Sequence, residues 1–217
     1  MPARSEPLDV TRLLYDGHPV WPGDTPFTLQ EHARIADGSS VNLMRLSGTT
    51  HLGTHVDAPW HADDAGARLD EVPIGRLVGD ALLLDARDAS NPVGPEILPA
   101  GPLPGRVLLR TGQPDAWTAF PKSVRALAPA LIHALADRGV RVVGTDAPSI
   151  DPLDSRDLPA HRACGARDVQ IIEGLALNAA TPGRWMFACL PLHLAGADAA
   201  PARALLWPPG DGTAGDA

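Results

Sequence analysis

Short apolar runs separated by turn-forming stretches dominate the chain, and most have the length of a strand. Ala81-Leu-Leu-Leu84 and Val107-Leu-Leu109 are continuously apolar, the pattern of strands buried on both faces. Phe27–Ile35 alternates apolar and polar positions and predicts a strand. Val41–Leu46 predicts another, turned by Ser47-Gly48 to pair with the segment that follows it. Leu8–Leu14 reads as a strand or strand–turn, Val140–Gly144, Val169–Leu177 and Trp185–Leu190 as later strands, and Arg203–Trp207 as an added edge. The clearest helix spans Ser123–Arg138, where Leu127, Leu131 and Leu135 recur at i, i+4 and i+8. Ser123 is placed to cap it and Gly139 to end it, while Pro129 implies a kink or a later start. A strand on the far side of that helix predicts an α/β fold.

One polar stretch stands out against this background. Thr50-His-Leu-Gly-Thr-His-Val-Asp-Ala-Pro-Trp-His61 holds three imidazoles and a carboxylate. His51, His55 and Asp57 are evenly spaced, so a strand projects all three from one face, whereas a helix turning about 100° per residue does not. The β-branched Thr49, Thr50, Thr54 and Val56, with Gly53 against a helix interior, favour a strand over Thr49–Asp57. Gly53 leaves room for an ion or substrate to approach the backbone, and Pro59 ends the strand so that His61 falls on the following turn. Imidazole nitrogen with carboxylate oxygen suits zinc, and manganese or iron less selectively. The competing reading is a surface strand of hydrogen-bonded histidines, which accounts better for a lone histidine than for this cluster.

Composition narrows the field. At 217 residues the chain fits one large domain, taken as 1–209, with Gly210–Ala217 as a disordered tail. The 23 prolines and 21 glycines are spread out, which predicts many turns and long loops. A net charge of −8 with no basic block argues against nucleic acid or an anionic membrane as partner. The N-terminus has no apolar signal core and no 18-residue apolar run occurs, so a soluble cytoplasmic protein is expected. Cys164 and Cys189 form no C-x-x-C pair and read as free thiols.

Further ligands would have to come from later in the chain. Glu173 is a carboxylate inside the apolar run Ile171-Ile-Glu-Gly174, where coordination would offset the cost of burial; His161 in Leu158-Pro-Ala-His-Arg162 is a second candidate. For each, a structural role remains open on the residues alone. His18, His32, His133 and His193 have no partner pattern and read as surface or core histidines.

His51-x-Gly-Thr-His55-x-Asp57-x-Pro-x-His61 resembles the motif of the cyclase family of metal-dependent hydrolases. Val20-Trp-Pro-Gly-Asp-Thr-Pro26, Asp146-Ala-Pro-Ser-Ile-Asp-Pro152, Ala160-His-Arg162, Ile172-Glu-Gly-Leu175 and Pro201-Ala-Arg-Ala-Leu205 resemble its kynurenine formamidase branch, from about residue 8 to residue 207. The resemblance implies a swivelling β/β/α-type single domain with a mixed sheet core, a homodimer, and two Zn²⁺ per subunit, with Mn²⁺ as an alternative. It implies that His51, His55 and Asp57 bind one ion, that Asp57 bridges to a second held by His161 and Glu173, that His61 transfers protons, and that Trp21 lines the substrate pocket. The implied reaction is hydrolysis of N-formyl-L-kynurenine to L-kynurenine and formate. Two other readings stay open: an amide hydrolase of the same family acting on a substrate such as isatin, and a protein that binds a metal or small molecule without catalysis.

Overall fold

Strands that are apolar on both sides need a layer packed against each face, and the computed structural model, which describes residues 6–209, supplies both layers. Among the described residues ten strands are formed: β1 Leu8–Asp9, β2 Thr28–Ala33, β3 Leu43–Ser47, β4 His55–Asp57, β5 Val78–Asp85, β6 Arg106–Arg110, β7 Val142–Thr145, β8 Gln170–Glu173, β9 Gly183–Pro191 and β10 Ala199–Trp207. Two α-helices, α1 Pro129–Asp137 and α2 Pro159–Ala166, carry the chain from β6 to β7 and from β7 to β8. Eight strands form a mixed sheet in the order β1-β10-β4-β8-β7-β6-β5-β9, and β9 also pairs with β10, so the sheet closes into a barrel. β5, β6, β7 and β8 are mutually parallel, and the remaining pairs are antiparallel.

Alternate residues of the parallel strands serve two cores. Leu108, Val142 and Ile172 join Leu83 and Phe187 within one cluster, while Val107, Leu109, Val143 and Ile171 pack against Leu131, Ile132 and Leu135 of α1 and Ala160 of α2. This two-sided burial is why those strands read as unbroken apolar runs.

Several expectations are corrected. The strand expected over Thr49–Asp57 is formed only at His55–Asp57; Gly53 adopts φ +57, a left-handed conformation that breaks the alternation and puts His51 on the preceding bend. Leu43–Ser47 pairs with Thr28–Ala33 as a separate two-stranded sheet rather than with the histidine segment. The helix begins at Pro129, not Ser123, because proline belongs in a first turn and cannot donate within a helix. β10 is no edge: its first half pairs with β4, and its second half lies between β9 and β1.

The junction of β4 and β8 depends on close backbone approach. Gly174 has φ +67, and a Cβ there would overlap the carbonyl of Gly53. Its own carbonyl accepts the Thr54 hydroxyl at 2.7 Å and the Arg12 Nε at 3.2 Å. Gly174→Ala is therefore expected to cost about 2–4 kcal/mol by strain and displacement together. Urea denaturation measures it, and a loss below about 0.5 kcal/mol, the scale of an ordinary surface substitution, would contradict the account.

Candidate active site

The β4–β8 pairing sets His55 opposite Glu173, and β10 holds Asp57 opposite Ala199. β4 thus delivers two of the sequence-selected donors and β8 a third. His161 arrives from the first turn of α2, an element the sequence did not reveal. His51 comes from the bend before β4 and His61 from the short 3₁₀ turn Pro59–His61.

The other five side chains converge on Asp57, which is 2% exposed. Asp57 Oδ1 lies 3.1 Å from His51 Nδ1 and 3.3 Å from His55 Nε2, while Oδ2 lies 3.5 Å from His161 Nε2. Glu173 Oε2 is 3.5 Å from His55 Nε2, and Oε1 is 3.6 Å from His161 Nε2. The rings of His51 and His61 are 3.9 Å apart between centroids. Two compact donor groups result, His51–Asp57–His61 and His55–Asp57–Glu173. Asp57 belongs to both groups.

Neighbouring groups fix the donor atoms. His55 Nδ1 is 3.0 Å from the Gly53 carbonyl, which can only accept, so Nδ1 carries the proton and Nε2 presents its lone pair to the cluster. Asp151 does the same for His161: it accepts the backbone N–H groups of Ala160 and His161 at the start of α2 and holds His161 Nδ1 at 2.7 Å. Asp198 accepts the Thr50 hydroxyl at 2.7 Å and lies 3.2 Å from His51 Nε2 and 3.9 Å from His61 Nδ1. Neither aspartate was singled out in the sequence. Asp151 stands 10 residues before His161, inside the Asp146–Pro152 segment of the family resemblance, whereas Asp198 acts on His51 across 147 residues, where no local spacing marks it.

The donor set fits a divalent cation. His55 Nε2 and both carboxylate oxygens of Asp57 are buried without a hydrogen-bond partner. Three orphaned polar atoms aimed at one another are costly unless a cation lies among them, and imidazole with carboxylate is a donor set zinc accepts. The imidazole equilibria express the same demand for positive charge. Burial pushes each down, but the carboxylates outweigh it and hold His51 at about 9 and His55 and His161 at about 10. Asp57, resisting burial through its three imidazole neighbours, stays well below the usual carboxylate range. His61 moves the other way, lowered by burial and by His51 and His161 against the pull of Asp57 and Glu173.

Above the cluster is a cavity of about 600 Å³ lined by Trp21, Trp117, Phe120 and Leu158, with His51, His61 and Glu173 at its polar end. Trp21 and Phe120 meet edge to face, 5.4 Å between centroids. Trp60 does not line this cavity; the Arg68 guanidinium stacks on its ring at 3.1 Å. Cys164 and Cys189 are buried free thiols, and burial pushes both up. Of the unassigned histidines, His18 is buried against Tyr15 and Trp117.

This closed mixed sheet has counterparts among known proteins. The chain belongs to the cyclase family, whose model matches residues 8–152, including the whole His51–His61 run. A solved structure described as a potential metal-dependent hydrolase with cyclase activity is 31% identical, covers 94% of this chain and 98% of its own, and superposes with a TM-score of 0.76. Within the family the chain groups with the kynurenine formamidases. Those of Salinibacter ruber and Geobacillus thermodenitrificans are 44% and 39% identical over 208 and 203 residues, covering 92% of this chain and 96% of each relative.

Proposed function

We infer that this chain is a metal-dependent arylformamidase that hydrolyses N-formyl-L-kynurenine to L-kynurenine and formate. The observation that carries the reading is the coincidence of three orphaned buried donor atoms with an aromatic-walled cavity directly above them, in a chain aligned end to end with kynurenine formamidases. Two zinc ions are proposed, one with His51, His55 and Asp57 and the other with His161 and Glu173, Asp57 serving both; its two oxygens face opposite sides of the cluster. Manganese is the alternative ion.

A formamide resists water because its carbonyl is weakly electrophilic and its amine leaves poorly. A bound divalent cation supplies Lewis acidity that polarises the formyl carbonyl and lowers the pKa of water toward neutrality. His61 does the proton work. It lines the cavity, it is exposed to solvent, and its lowered pKa keeps the imidazole neutral and able to accept a proton at pH 7. The water oxygen bonds to the formyl carbon, the C–N bond breaks, and His61 passes the water proton to the departing aryl nitrogen. Asp151 and Asp198 hold His161 and His51 in the orientations this requires. Trp21 and Phe120 give the aryl ring an apolar wall. Trp21→Ala is expected to raise KM several-fold with a smaller effect on kcat; an unchanged KM would remove Trp21 from the pocket.

We also propose a cytoplasmic homodimer. The free thiols agree with a reducing compartment, and Met44 and Leu46, which share one face of β3, are each half or more exposed, apolar surface suited to a second copy. The deciding experiment incubates the protein with N-formylkynurenine and follows kynurenine absorbance with and without a chelator. Turnover that chelation abolishes and zinc restores is expected. Turnover indifferent to exhaustive chelation would overturn the metal dependence, and turnover of isatin with none of aryl formamides would favour the isatin-hydrolase alternative.

A further inference from the structure

Apart from the clustered imidazoles, the charged groups lining the cavity are of one sign. Among its lining residues are Asp24, Glu173 and Asp198, and no lysine or arginine. Arg12 lies close by, with its guanidinium 3.7 Å from the Trp117 ring centroid, but it is 1% exposed and absent from the lining. Its donors are spent on backbone carbonyls that include Pro114, Asp115 and Gly174. Away from the imidazole cluster, an anionic substrate group therefore meets no lysine or arginine on the wall.

Two of the three carboxylates are already engaged. Glu173 accepts the Ile150 backbone N–H and faces His55 and His161; Asp198 holds Thr50 and His51. Asp24 is different. Its side-chain contact is one long bond from the Thr49 hydroxyl, 3.5 Å, and it is half-buried at the cavity wall. Its backbone N–H donates to the Trp21 carbonyl at 3.0 Å, so a single tight turn presents both the indole and the carboxylate. We propose that Asp24 is a specificity residue that binds the α-ammonium of an aryl amino-acid substrate, while Trp21 on the same turn contacts its ring. The preferred class is then an aryl formamide bearing a cation, and the substrate's carboxylate is left to solvent. This assignment rests on the formamidase reading and adds the recognition of the part of the substrate that does not react.

The metal-replete enzyme separates the two claims. Its kcat/KM is measured for N-formylkynurenine and for the same compound with its α-amino group acetylated, which keeps the aryl formamide and the carboxylate but removes the cation. A charged hydrogen bond is worth about a factor of 10 or more, so the ammonium-bearing compound is expected to be favoured by about 10-fold, mainly in KM, since the contact is made equally in the ground and transition states. In Asp24→Asn that ratio is expected to fall toward one. Turnover of both compounds with equal kcat/KM by the parent enzyme would overturn the Asp24 assignment and leave the formamidase reading intact, whether or not the variant folds. A ratio unchanged in folded Asp24→Asn would overturn it as well. Failure to cleave any aryl formamide would overturn both.

Discussion

Asp57→Asn is expected to lose bound metal and formamidase activity together, with turnover reduced at least about 10³-fold. The substitution keeps shape and volume and removes only the charge and one acceptor. Asp57 uses both oxygens: one faces His51 and His55, the other faces His161. An asparagine would offer a carbonyl to one side and an N–H₂ to the other, setting a donor where a ligand is required. The three imidazoles, held up by neighbouring carboxylates, would also lose their common counter-charge. Elemental analysis of the purified variant reads the metal, and thermal unfolding in chelator shows whether the fold survives. A folded Asp57→Asn protein with stoichiometric zinc and more than a tenth of parental activity would show that the carboxylate does not organise the centre.

His61→Ala is expected to keep the metal and lose about 10²–10⁴-fold in kcat. This outcome is decisive because the geometry permits two roles. His61 belongs to a compact group with His51 and Asp57, as a ligand would, yet it is the exposed member of that group, at the cavity, and its proton affinity is lowered where those of the other cluster histidines are raised. Metal retained with turnover lost identifies the proton carrier. Metal lost in proportion to activity would make His61 a ligand, and parental turnover would leave it no role in the reaction. Partial rescue by added imidazole, which fits the space vacated, is the expected confirmation.

How much of the site the sequence disclosed depended on how local each interaction is. The run from His51 to His61 was legible because its donors are near neighbours in the chain, although their setting was only partly legible: the strand is three residues long, and Gly53 turns His51 into position from a bend. Glu173 was legible as a carboxylate in an apolar run, and β8 does bury it. Asp151 stood only within a quoted segment of the resemblance, without a role, and Asp198, Trp117 and Phe120 gave no signal. An aspartate that orients a histidine 147 residues away, as Asp198 does for His51, looks locally like any polar loop residue.

Among the elements, the sequence by itself determined the apolar runs that became the parallel strands, the helix after Pro129 and the cluster of metal-type donors, because periodicity, proline chemistry and short-range spacing are written in adjacent residues. Only the tertiary structure decided which strand lies beside which, that β9 and β10 close the sheet, that α2 carries His161 to Asp57, and that Asp24 shares a cavity with the centre. Pairing partners and pocket walls are chosen by burial and backbone hydrogen bonding between segments far apart in the chain, and that competition leaves no mark on either segment alone.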